Sequence, residues 1–542
     1  MKRAALALPL GLFALPLALA LPAALLQAAD KGAWRALFAD PQLARALGLS
    51  VGTAAVSTVL ALLACLGLVT HLYRSRLWSQ LTRALGPMLA VPHAAFAIGL
   101  ALLVMPAGLL ARVLAPLAGW VAPPDWPTVN DPHGAALTAV LLCKESPFLL
   151  WNTLALLARP DVALSLRGWL ASGITLGYRP SAVWWRVLWP LLLPRLAWPL
   201  LAVLAYGLTV VDMALIVGPA SPPTLAVVAW QALQDGNAAR NAEGAAAAVL
   251  LSFVLAALAL VGALGGRWLL RRWRRAAVDG RRRAAGRRSG AAMRALWRGL
   301  LVLYAVIAAL LLASSWVGVW TFPALLPQRW AAEGWQQVLD SSGTLALSAG
   351  LGIVAAAFAL LLVLIWFEAS PASWDRRATP LVLAPLVLPS LLLMTGLYTL
   401  ALPLRLDGTL AGLAWAHTLV TLPYVFVALA PAWRSFDRRY ESTALALGRS
   451  RAAFWWRVKA PLLAAPIAAA LAIGFAVSVA QYLPTQFSGA GRHASVTTEA
   501  VTLAAGGQRH TAAAFAVLQA LLPAIGFALA AWVGHRQRAR MT

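Results

Sequence analysis

Apolar residues along this chain gather into about twelve long runs separated by short polar stretches. Six lie near residues 4–28, 46–70, 85–115, 134–158, 191–218 and 245–270. Six more lie near 299–317, 343–367, 379–403, 409–433, 461–483 and 511–534. A helix needs about 20 apolar residues to cross the hydrocarbon core of a bilayer. The pattern therefore predicts an all-α, polytopic membrane protein of about twelve transmembrane helices. Several runs are longer than a span requires, which predicts tilt or re-entry. Proline recurs inside them, and lipid-embedded helices tolerate it where neighbours re-satisfy the freed backbone groups. The first run begins after Lys2 and Arg3 and ends in small residues at Leu26–Ala29, like a cleaved signal peptide. Its apolar stretch is too long for the 7–15 residues usual in such a signal, so a retained first span is expected.

The polar stretches alternate in charge. Arg74, Arg76 and Arg83 follow the second run, Arg376 and Arg377 follow the eighth, and Arg536, Arg538 and Arg540 end the chain. Residues 266–298 carry twelve arginines against the single acid Asp279. The intervening connections hold Asp125, Asp131, Asp235 and Glu243 instead. By the positive-inside rule, both termini and the basic connections are cytoplasmic. That rule also accounts for the net charge of +26 without a nucleic-acid partner. With 61% hydrophobic and 11% charged residues, a soluble domain is excluded. The two cysteines, Cys65 and Cys143, lie inside apolar runs and define neither a disulfide framework nor a metal site.

The chain repeats itself. Gly177-Tyr-Arg-Pro-Ser-Ala-Val-Trp-Trp-Arg-Val-Leu-Trp-Pro190 matches Gly448-Arg-Ser-Arg-Ala-Ala-Phe-Trp-Trp-Arg-Val-Lys-Ala-Pro461, 271 residues later. Pro92 and Gly99 match Pro389 and Gly396, Ser50 and Gly52 match Ser348 and Gly350, and Pro147 matches Pro423. The expected plan is two six-helix halves, 1–270 and 299–542, joined by a basic cytoplasmic linker, 271–298. An even span count per half makes the halves parallel and pseudo-symmetric, with a substrate path expected between them. The long match falls in each half between the fourth and fifth spans. A glycine there permits a sharp turn between two short helices, and such a hairpin suits helix-in-groove capture by another protein. A duplicated membrane-surface helix with interfacial tryptophans is the alternative.

The repeated segment resembles the EAA loop of ABC importer permeases: a glycine, a hydrophobe ten residues on, and a proline three beyond it. The first copy supplies Gly177, Val187 and Pro190, and the second Ala444, Gly448, Val458 and Pro461. Both depart from the motif in its acidic part. Glu441 sits one position early in the second copy, and the first has no acid. Across nearly the whole chain the resemblance is to fused, two-in-one permeases of the thiamine and ferric-iron importer group. Val211–Pro219 and Gln481–Pro484 look most like the YnjC-like branch. The resemblance implies a permease in the bacterial inner membrane, two copies of a separate ATPase gripping the two hairpins, and a periplasmic solute-binding protein. No cofactor is implied. None of Lys2, Lys31, Lys144 and Lys459 follows a glycine, so the chain lacks a P-loop.

Ionisable groups at membrane depth are costly and are functional candidates by default. Lys144 and Glu145 lie in the fourth run, Asp212 toward the end of the fifth, and Gln481 at nearly the matching place of the eleventh. They are expected to line or gate the substrate route. A structural pairing of Lys144 and Glu145 with neighbouring carbonyls, or a helix end at Asp212 and Gln481, equally accounts for them. His93 and His417 are further polar residues at depth, for which packing roles suffice. No His, Asp and Glu cluster has catalytic spacing, so an enzyme is not expected. The competing class is a twelve-helix secondary transporter. Its recurrent acidic-arginine-glycine motif has no counterpart in Thr70–Leu85.

Overall fold

The computed structural model describes residues 2–277 and 287–541, so residues 278–286 of the expected linker lie outside the described residues. Among the described residues, ten helices are long and apolar enough to cross a membrane, and up to twelve if two bent pairs each count as one span. The bent pairs are Ala372–Val387 with Ser390–Ala401, at 103°, and Arg451–Leu462 with Ala464–Val479, at 72°. A small antiparallel hairpin pairs Val317–Val319 with Arg329–Trp330.

Four apolar runs that the pattern draws as single spans are interrupted. The run at 85–115 is divided at Val91–Pro92, between helices Arg76–Ala90 and His93–Val104, and the run at 379–403 at Leu388–Pro389. The cause is shared: Pro92 and Pro389 carry no N–H, and residues before proline avoid helical dihedrals. The fifth run breaks at Val210–Val211, between Ala197–Thr209 and Asp212–Val217. The eleventh breaks at Ala480–Tyr482, between Ala464–Val479 and Leu483–Gly489.

The described residues form two compact units, one of residues 30–330 and one of residues 1–29 with 331–542. Chain halves and packing units therefore differ. The first span of each half packs in the unit built mostly from the other half.

In the unit of residues 30–330, helix Leu43–Leu72 packs along Ala135–Ala158 and Ala197–Thr209. Its buried face is a stripe of small residues, Ser50, Ala54, Ser57 and Ala61, which lets backbones approach closely. A Cβ on Gly207 would meet the Ala54 backbone at 3.3 Å. In the other unit, helix Ser342–Ala369 packs on Leu410–Arg434 and Ala464–Val479 through Ser348, Gly352, Ala355 and Ala359. The two stripes match position by position, 298 residues apart.

The repeated serines perform the same task in each unit. Ser50 Oγ accepts from the N–H of Leu225 at 2.9 Å, and Ser348 Oγ accepts from that of Val496 at 2.8 Å. Leu225 and Val496 are the first residues of helices Leu225–Leu233 and Val496–Ala505, whose initial N–H groups have no partner within the helix. The repeated glycines also correspond. A Cβ on Gly99 would strike Ile307 of helix Arg287–Ser314, and one on Gly396 the backbone carbonyl of Ala20 in helix Leu15–Gln27. Each glycine thus seats the first span that packs in its unit.

Backbone cannot retreat as a side-chain tip can. Gly396→Val should therefore destabilise the protein by about 3 kcal/mol or more. Gly350, whose Cβ position meets only open space, should accept valine within about 0.5 kcal/mol. Thermal midpoints of the purified variants in detergent measure both.

Candidate functional site

The long repeat folds into the same device twice. Helix Pro160–Thr175 ends at Gly177 with φ +81°, and helix Arg439–Ala446 ends at Gly448 with φ +73°. The Tyr178 N–H donates to Gly173 O at 2.9 Å and the Gly177 N–H to Ile174 O at 2.9 Å. The Arg449 N–H donates to Ala444 O at 3.0 Å and the Gly448 N–H to Leu445 O at 3.0 Å. Both are Schellman caps, whose left-handed residue is glycine because it has no Cβ to clash. After the turn, each chain forms one short helical turn, Pro180–Val183 or Arg451–Phe454. A single π-turn follows at Trp184–Leu188 or Trp455–Lys459. Bulges of this kind concentrate at functional positions in helices.

The motif residues occupy comparable places on the two hairpins. Val187 and Val458 lie in the π-turns, and Pro190 and Pro461 in the helical turns after them. Pro190 is buried and Pro461 exposed. Ala444 and Val458 line a cleft on the second hairpin with Tyr440, Thr443 and Leu447. Glu441 is in the first turn of helix Arg439–Ala446, where a carboxylate suits the positive helix end.

The polar residues of the first unit meet at the breaks. Lys144 Nζ donates to Val91 O at 2.6 Å and to Met88 O at 3.1 Å. Met88 O is the carbonyl that the missing N–H of Pro92 would have served. Lys144 therefore closes the interruption, and its charge complements a helix C-terminus. Its ammonium also lies 5.8 Å from the Phe96 ring and 5.7 Å from that of Tyr304. Glu145 turns another way. Its Oε1 lies 3.7 Å from Nε2 of His93, whose ring packs 4.9 Å from that of Tyr206. Asp212 is the first residue after the Val210–Val211 break. Glu145 thus faces an imidazole, and Lys144 is hydrogen-bonded to carbonyls at the Pro92 break.

In the second unit, Gln481 sits in the Ala480–Tyr482 break and is partly exposed. His417 is buried beside it. Its Nδ1 is 2.9 Å from Ser478 Oγ and its Nε2 is 3.0 Å from Thr485 Oγ1. Among the described residues, no group of three His, Cys, Asp or Glu is placed to hold a metal ion.

Comparison with known proteins assigns the family. Over 513 residues, 93% of this chain and 91% of the relative, the sequence is 38% identical to the inner membrane ABC transporter permease protein YnjC of Escherichia coli strain K12. The chain belongs to the ABC transporter permeases. Part of this permease also resembles the molybdenum transport system permease protein ModB of Mycobacterium bovis, 32% identical over 119 residues, 20% of this chain and 45% of that one. A probable molybdenum ABC transporter permease of Haloferax volcanii is 29% identical over 207 residues, 34% of this chain and 72% of the relative. No family model matches the chain. The protein is thus an importer permease of the inner membrane that crosses it many times, and the secondary-transporter alternative falls away.

Two residues of this permease escaped the motif reading. Leu176 and Leu447 immediately precede the turn glycines and are 62% and 74% exposed. Each hairpin therefore presents a leucine at the same place, immediately before its turn glycine. The signal was present in the repeat, since the two leucines are also 271 residues apart.

Replacing Lys144 with methionine keeps the bulk and removes the donor. Two carbonyls at the Pro92 break then lose their partner, at about 1–3 kcal/mol. The expected outcome is a lower thermal midpoint for Lys144→Met and near wild-type behaviour for Lys144→Arg, read by differential scanning fluorimetry.

Proposed function

We propose that this permease is driven by two copies of a separate ATPase subunit that grip the hairpins turned at Gly177 and Gly448, and that it passes on a small solute delivered by a periplasmic binding protein. The supporting observation is the duplication of one exposed device. Each half carries the same Schellman-capped hairpin and π-turn, tipped by an exposed leucine. Two equal handles suit two equal partners. The chain hydrolyses no nucleotide itself, because it lacks the glycine-lysine pair that cradles phosphate. The hairpins and both termini are cytoplasmic, on the side carrying the arginine-rich connections.

Gly448→Val forces a β-branched residue into a left-handed conformation, a strain of about 1–3 kcal/mol at the hairpin alone. Leu447→Arg leaves the turn intact and removes an apolar anchor of about 1.5–3 kcal/mol, roughly a tenfold or greater loss of affinity. Both variants should insert normally and retain less ATPase subunit on co-purification. Wild-type uptake with the ATPase still bound would overturn the assignment.

Within the membrane, Lys144, Glu145, Asp212 and Gln481 line or gate the solute route, with Lys144 also setting the Pro92 break. Their placement at helix interruptions supports this reading, since irregular backbone at membrane depth is tolerated where it lines a cavity or is buried in protein. Asp212→Asn separates the roles. Lost uptake with ATPase activity still stimulated by the binding protein marks a solute contact, and unrestrained ATP hydrolysis marks a gate. Unchanged uptake and ATPase activity remove Asp212 from the route.

Residues 271–298 act as a linker between the two halves. Each compact unit draws residues from both halves, so neither fragment contains a whole unit. Cutting the gene between Gly280 and Gly290 should therefore restore transport only when both fragments are co-expressed, and either fragment alone should be degraded. Independent accumulation of folded single fragments contradicts this.

A further inference from the structure

We propose that His417 is a positioning residue of the transport cycle, a bridge across the interruption of the eleventh span whose release lets that span open. The proposal rests on the reading that places Gln481 on the solute route.

Helix Ala464–Val479 ends before Ala480–Tyr482, and helix Leu483–Gly489 begins after it. His417 reaches this interruption from a different helix, Leu410–Arg434. One ring nitrogen meets Ser478, in the last turn before the break, and the other meets Thr485, in the first turn after it. The Thr485 hydroxyl also donates to Gln481 O at 3.3 Å. A single order of donors satisfies all three bonds. The Ser478 hydroxyl donates to Nδ1, Nε2–H donates to Thr485 Oγ1, and Thr485 donates to the carbonyl inside the break.

Imidazole suits this task because it presents a donor and an acceptor at fixed separation on one rigid ring. All three polar side chains are buried, so each bond lost at this depth leaves groups that water cannot serve. The end of helix Ala464–Val479 is held independently on another side. Thr497 Oγ1 donates to Val479 O, and Gln519 Nε2 donates to Thr497. The helix end thus keeps its place without His417, and what His417 adds is the tie between the two sides of the break.

In the first unit a histidine also lies beside an interrupted span: His93 packs on Tyr206, in the helix that ends before the Val210–Val211 break. His93 comes from the third span and His417 from the tenth, which answers to the fourth span of the first half, so duplication did not copy one contact into the other.

The experiment uses the full permease–ATPase complex in lipid nanodiscs, with Cys65 and Cys143 replaced by alanine. Gln481→Cys is labelled with a membrane-impermeant methanethiosulfonate, without nucleotide and with MgATP plus vanadate. The intact bridge should make labelling nucleotide-dependent. His417→Leu and Thr485→Val should each raise the nucleotide-free labelling rate about tenfold, roughly the worth of one net hydrogen bond, and erase the nucleotide dependence. Thr485→Ser, which keeps the hydroxyl, should restore it. The double variant His417→Leu/Thr485→Val should add nothing to either single one, because both cut the same tie. A merely structural histidine would lower the thermal midpoint and leave nucleotide-dependent labelling in place, which overturns the proposal. If His417→Leu fails to assemble, the Thr485→Val and Thr485→Ser pair decides alone. A thiol at 481 that stays inert under every condition instead removes Gln481 from the route, a failure of the underlying reading and distinct from that of the bridge.

Discussion

The constraint on which this permease depends is that backbone N–H and C=O groups inside a bilayer must find partners within the protein. Continuous helices meet it automatically, and interrupted ones do not. The chain interrupts four apolar runs, and side chains from other spans reach two of these interruptions. Lys144 serves Met88 and Val91 at the Pro92 break. Ser50 and Ser348 serve the first N–H of a helix that follows a broken span. His417 serves both sides of the eleventh span. These groups are costly to bury alone and stabilising once paired. The polar residues at depth and the irregular backbone are therefore one phenomenon, seen from two sides.

That link explains why candidate site residues separate into different roles. Lys144 and Glu145 are adjacent in sequence and look like a pair. Adjacent residues on a helix point about 100° apart, so they reach different neighbours. Lys144 reaches carbonyls on one side, while Glu145 reaches His93 on another. Carbonyl dipoles solvate the Lys144 ammonium and fix where it sits, while the Glu145 carboxylate is aimed at a different element. The geometry thus separates a nominal ion pair into two contacts on two neighbours.

Much of the architecture was legible in the sequence, because membrane proteins write their spans as long apolar runs. The hairpins were legible through Gly177 and Gly448, since a positive φ admits few other residues. The interruptions at Pro92 and Pro389 left a trace, because proline removes a donor wherever it stands. The break at Ala480–Tyr482 left one in Pro484, which stands in the first turn of the helix that follows and has no N–H for the carbonyl of Ala480. The break at Val210–Val211 left none, because valine is compatible with a continuous helix. The exchange of first spans between packing units was also invisible. Gly99 and Gly396 announce close packing but do not name the helix that fills the space.

That exchange bears on how the chain is made. Helix Leu15–Gln27 leaves the ribosome long before the segment that seats it. Its seat is helix Ser390–Ala401, where Thr399 donates to the Gln27 side chain from 372 residues downstream. At about 5–20 residues per second, the first helix waits roughly 20–75 s for that seat. Throughout the wait its surroundings are lipid, and lipid must suffice. Its partner face accordingly carries alanine and leucine, not charge, with Leu17, Ala20, Ala23 and Ala24 buried only once the later helix arrives. Insertion and assembly are thereby uncoupled in time, and the first span must be a competent membrane anchor on its own before it becomes part of a transporter.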